Sequence, residues 1–203
     1  MCRTFFYVNQ INNCGRNMQY FLKNIAKKLV FGSILIYNYK VIRVKEEIYM
    51  VTLDKIYHAS YVLKDVVIPT PLVKATAISD DCEVYLKPEN LQITGSFKVR
   101  GSGYKISQLT EEEKKRGVIA CSAGNHAQGV ALAATKYGIK SLICLPDGAP
   151  ISKVEATKGY GAEVCMVPGV YDDAYNKACE LRDEHNYTFI HPFDDENVTA
   201  GQG

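Results

Sequence analysis

A chain of 203 residues that is 47% hydrophobic is long enough to bury one sizeable core. Its 24 basic and 22 acidic residues leave a net charge of +2, which gives no reason to expect a nucleic-acid partner. No apolar run approaches the roughly 18 residues that a membrane span requires.

The small basic excess sits at one end. Residues 1–49 hold eight Lys/Arg against only Glu46 and Glu47, and the rest of the chain is mildly acidic. This stretch is rich in Asn, Ile, Tyr and Lys, and residues 17–31 read as a basic amphipathic helix. It is expected to be an atypical N-terminal extension, with Met50 as an alternative start. From Met50 onward helix and strand signals alternate. Leu53–Leu63 reads as a helix with Leu53, Ile56, Tyr57, Ser60 and Leu63 on one side. Pro69 and Pro71 close that region. Residues 84–86 form a short strand and residues 96–109 a helix. Thr110 and Glu113 make a capping box. A buried strand is expected over 118–120, then a helix from His126 to Tyr137 closed by Gly138. A strand over 141–145, a helix over 153–158 ended by Gly159, and a strand over 163–167 follow. The last elements are a helix over 172–185, a strand over 188–190 and a helix start at Asp194-Asp195-Glu196. Repeated βα units with short apolar strands predict an α/β fold, with parallel sheets covered by helices.

Seven cysteines, at positions 2, 14, 82, 121, 144, 165 and 179, form no C-x-x-C pair. They read as small buried hydrophobes of a reducing compartment such as the cytoplasm. His185 and His191 have no Cys or Asp at ligand spacing, so no metal site is expected.

Two runs carry chemistry. In Thr94-Gly-Ser-Phe-Lys-Val-Arg-Gly101 a lysine follows an aromatic ring at a helix start. An apolar neighbour desolvates an amine and prepares it for a Schiff base with an aldehyde cofactor. In Cys121-Ser-Ala-Gly-Asn-His-Ala-Gln-Gly129 a small polar turn joins strand to helix, and its backbone N–H groups can meet an anion such as a carboxylate. Asn125 alone would read as a helix N-cap, and His126 alone as a structural histidine.

These runs, extended by "KPENLQ" before Ile93, "LPDGAPISKVEATKGYGAEV" over 145–164 and "FIHPFDDENVTAGQG" over 189–203, resemble the threonine ammonia-lyase (threonine dehydratase) family. That family belongs to the fold type II, tryptophan-synthase-β-like enzymes that use pyridoxal 5'-phosphate. The resemblance implies that Lys98 is the cofactor lysine, that Phe97 packs on the cofactor and that Asn125 bonds its phenolic oxygen. It also implies that Ser122, Ala123, Gly124, Asn125 and His126 hold the substrate carboxylate. The expected reaction is α,β-elimination from L-threonine or L-serine. Related serine racemases generally carry serine where this chain has Ala123, and alanine cannot move a proton. That favours elimination, with serine racemase or another fold type II enzyme as the alternative. The resemblance further implies the N-terminal, truncated part of a longer, homo-oligomeric catalytic chain, containing most of a small mobile subdomain. The cofactor's phosphate loop and ring-nitrogen partner would lie beyond residue 203. A second alternative is an inactive fragment acting at most as an interaction module.

Overall fold

A computed structural model describes residues 3–7, 51–77 and 83–203. The boundary expected at residue 49 and the helix expected over 17–31 lie outside the described residues. The chain divides into two compact units. The first contains a three-stranded sheet. Its centre, β3 (Glu83–Lys87), pairs in parallel with β1 (Arg3–Tyr7) and antiparallel with β2 (Val73–Lys74).

The second unit holds residues 51–70 and 89–203. It opens with α1 (Leu53–Val62), capped by the Thr52 side chain. The helix buries Ala59, with Leu63 just beyond its end, while Leu53, Tyr57 and Tyr61 are 60%, 65% and 71% exposed. The face expected to be buried is therefore only half right. Small Ala59 permits close packing, and the bulky residues at four-residue spacing form an outward stripe.

After a loop come α2 (Lys98–Ser107) and α3 (Glu111–Arg116), the latter with the expected Thr110–Glu113 capping box. Three βα units follow: β4 (Val118–Cys121), α4 (Asn125–Lys136), β5 (Ser141–Pro146), α5 (Ile151–Gly159), β6 (Glu163–Val167) and α6 (Tyr171–His185). The chain ends with β7 (Thr188–Phe189) and α7 (Glu196–Gln202), whose first turn is capped by Asp195. Gly159 lies inside α5; the left-handed residue that turns the chain is Gly161, at φ 94°. Among the described residues no helix is long and apolar enough to cross a membrane.

The four strands are parallel in the order β6-β5-β4-β7. Side chains alternate between its faces. Val118, Ala120, Ile143 and Leu145 enter one cluster with Val130 of α4 and Val154 of α5. Ile119, Cys121 and Cys144 enter another with Ala174 and Ala178 of α6. The progression β4, β5, β6 runs one way, then the chain returns across the opposite face to lay β7 on the other side of β4. The reversal lies between β4 and β7. In open α/β sheets, ligands collect beyond the C-terminal ends of the strands at such a reversal.

A third cluster joins α1, α2 and α7 through Ala59, Leu63, Val99, Tyr104 and Ala200. Glycines set the spacing of α2. A Cβ on Gly129 of α4 would lie 2.8 Å from Ser102 Oγ and 3.0 Å from the Lys98 carbonyl. A Cβ on Gly101 would meet the Val198 carbonyl at 2.8 Å, and one on Gly201 the Arg100 carbonyl at 2.7 Å. The backbone of α2 is thus held on both sides by direct contact.

Candidate active site

Lys98 begins α2, and burial holds its amine below the usual lysine range. Its Nζ donates to the Pro192 carbonyl at 2.7 Å and lies 5.2 Å from the centre of the Phe97 ring. Pro192 follows β7, so the lysine reaches the sheet's reversal. The loop before Lys98 is fixed by buried polar side chains. Fully buried Glu89 accepts from Arg100 Nε at 2.6 Å, from a terminal Arg100 nitrogen at 2.9 Å and from Thr70 Oγ1 at 2.5 Å. Gln92 brackets Ile68, donating to its carbonyl and accepting from its N–H. Ser96 Oγ accepts from the Lys98 N–H.

The turn 122–126 follows β4 at the same edge. Gly124, not Asn125, is the N-cap residue of α4, and no side chain among the described residues caps this helix. Ser122 Oγ accepts from the Gly124 N–H at 3.2 Å, folding the turn on itself. A side chain at Gly124 would point into open space. Ala123 is half-buried and packs on the adjacent core. The Asn125 side chain makes a contact absent from the sequence reading: its Oδ1 accepts from Lys153 Nζ at 2.8 Å.

His126 turns inward. The Ile190 carbonyl accepts at 2.9 Å from Nε2, so that nitrogen carries the proton and Nδ1 is left as a buried lone pair with no partner among the described residues. Burial drives its pKa down to about 4. The Ile190 bond opposes that shift, while the nearby Lys98 and His191 charges add to it. The ring is therefore a neutral brace between α4 and the end of β7. Among the described residues, no three His, Cys, Asp or Glu side chains cluster as a metal site would require.

The structure thus brings Phe97, Lys98, Ser122, Ala123, Gly124, Asn125 and His126 to one edge of one unit. Lys153 and the Pro192 and Ile190 carbonyls join them. Lys153 had one sequence signal, a cation in the first turn of a helix, where the dipole opposes it. The donor set suits pyridoxal phosphate: a desolvated amine beside an aromatic ring, an amide whose NH2 has no acceptor among the described residues, and open space at Gly124.

Comparison with known proteins agrees with this chemistry. An L-threonine ammonia-lyase of Thermotoga maritima is 49% identical over 156 residues, which are 76% of this chain and 39% of that protein. The chain therefore spans about two fifths of that relative's length. Among solved structures, maize serine racemase superposes with a TM-score of 0.71 at 32% identity, covering 75% of this chain and 47% of that one. The processed form of threonine deaminase isoform 2 from Solanum lycopersicum gives 0.67 at 36%, covering 74% and 46%. Both are fold type II enzymes. Residues 63–203 match the family described as pyridoxal-phosphate dependent enzyme, and this chain belongs to it.

Proposed function

We propose that this chain carries the reactive lysine and the amino-acid pocket of an L-threonine ammonia-lyase. Its substrates would be L-threonine and L-serine, and its products 2-oxobutanoate or pyruvate with ammonia. The observation that carries the reading is the Lys98 amine, desolvated and held at the sheet's reversal beside the turn 122–126. When bound, pyridoxal phosphate supplies the electron sink that makes a substrate's α-proton labile. Lys98 would take that proton, and its lowered pKa makes the free amine available nearer neutral pH. Phe97 shields the amine from water. Asn125 would donate to the cofactor's phenolic oxygen. The uncapped N-terminus of α4 offers main-chain N–H groups to the substrate carboxylate.

Ala123 separates elimination from racemisation. A methyl group there cannot deliver a proton to the opposite face, so loss of the β-hydroxyl is favoured over inversion. The likeness to a serine racemase structure keeps inversion as the second reading.

The test is reductive trapping. The chain is mixed with pyridoxal phosphate, reduced with borohydride, and the modified lysine located by mass spectrometry. Lys98 is expected to be modified before any other lysine, at a rate that rises with pH about a midpoint below that of an ordinary lysine. Preferred labelling of Lys153 or Lys105 sinks the assignment. In a protein with the relatives' full complement, L-serine should give more pyruvate than D-serine, and Ala123→Ser should move that ratio toward D-serine.

A further inference from the structure

Lys153 spans from the first turn of α5 to the first residue of α4, where its ammonium donates to Asn125 Oδ1 at 2.8 Å. An ammonium has three donors and no acceptor. Asn125 can therefore offer it only the carbonyl end of the amide. The NH2 end is turned away, and among the described residues it has no protein acceptor. An asparagine at a helix start otherwise rotates freely between its two ends, and only one of them complements an anionic oxygen.

Packing does not require the contact. α5 docks through buried Val154 and Thr157, while Thr135 Oγ1 donates to the Tyr160 carbonyl at 2.7 Å and Tyr160 OH to the Ile93 carbonyl at 2.8 Å. A cation in a helix's first turn also works against the dipole. The ammonium costs α5 stability locally and sets one amide at the site.

We propose that Lys153 is a positioning residue that locks the Asn125 amide with its NH2 presented to the ring oxygen of the bound cofactor. The proposal rests on the reading that this site takes pyridoxal phosphate. Polarisation by the ammonium also makes the amide N–H a stronger donor, because bonds in a chain reinforce one another. Lys153 touches neither the cofactor nor the substrate in this scheme and acts only through Asn125.

The experiment uses the 203-residue chain as wild type, Lys153→Met, Lys153→Arg, Asn125→Ala and the Lys153→Met/Asn125→Ala double variant. In ¹⁵N-labelled, ligand-free protein, Asn125→Ala identifies the Asn125 side-chain NH2 resonances. Lys153→Met should move that pair toward the position of freely rotating asparagines while the backbone spectrum holds, and Lys153→Arg should keep it in place. Pyridoxal phosphate should bind Lys153→Met about tenfold more weakly, as expected for loss of a charged hydrogen bond. Against Asn125→Ala, the second substitution should add nothing. The proposal is overturned if the resonance pair stays where it was in Lys153→Met. It is equally overturned if Lys153→Met weakens binding as much with Asn125 removed as with it present. Borohydride trapping on the wild type separates the two ideas. Absence of label at Lys98 defeats the cofactor reading, while the ligand-free amide resonance still decides the positioning.

Discussion

His126 shows how burial governs a single group at this site. With its pKa near 4 in the folded chain against an ordinary value of 6.5, the native state lacks a proton that the unfolded state binds between those limits. Its contribution to stability is complete above pH 6.5 and is lost as pH falls toward 4, at about 1.4 kcal/mol per unit. Urea midpoints measured from pH 7 to pH 4.5 should fall across this window. They should fall less steeply in His126→Gln, which keeps a donor for Ile190 but does not titrate; equal slopes would remove His126 as the cause. As candidates, Lys98, Phe97 and Asn125 were legible at this scale because each lies within a short local run. The partners that define them were not. Pro192 is 94 residues from Lys98 in sequence, and the Asn125–Lys153 pair is separated by 28. Local pattern also suggested a cap role for Asn125, yet the cap position falls one residue earlier and the side chain answers a cation instead.

Within the sheet, strand register aligns three thiols. Cys121 faces Cys144, and Cys144 faces Cys165, across β4, β5 and β6 on the face covered by α6. Burial pushes Cys121 up to about 11 and Cys144 up to about 12, with neighbouring Cys165 reinforcing the second shift. These two behave as small apolar side chains, as the sequence suggested. Folded protein at pH 8 should leave Cys121 and Cys144 unreacted with a disulfide dye, and both should react on unfolding; rapid labelling in the native state would contradict the assignment. Because their pKa values are raised, the stability they contribute is complete below pH 9. It is lost as pH climbs through 11 to 12. Most elements of the second unit were readable from period and punctuation, including the Thr110 and Asp195 caps. The buried face of α1 was misread because hydrophobicity alone chose Leu53 and Tyr57 over Ala59, whereas a tight helix contact selects for small size.

At the scale of the second unit, strand order decides where chemistry gathers. Nothing in the local pattern of residues 188–190 says that this strand lies beside β4 rather than beyond β6. That single placement carries the Ile190 and Pro192 carbonyls to His126 and Lys98. The backbone contacts that fix α2 between its neighbours bear on how this chain tolerates change. At Gly129, Gly101 and Gly201 any coding change adds a carbon where only 2.6–3.0 Å is free. A saturation library sorted for folded protein should therefore find these three positions nearly closed to substitution. Gly129→Ala should cost about 1–3 kcal/mol by overpacking, while Gly124 and Gly148, which face open space, should accept alanine. Free acceptance of alanine at Gly129 would show that α2 can move aside. Otherwise three positions that pack against backbone rank with the least tolerant of change, and variation would be filtered by the fit of one helix before chemistry is ever tested.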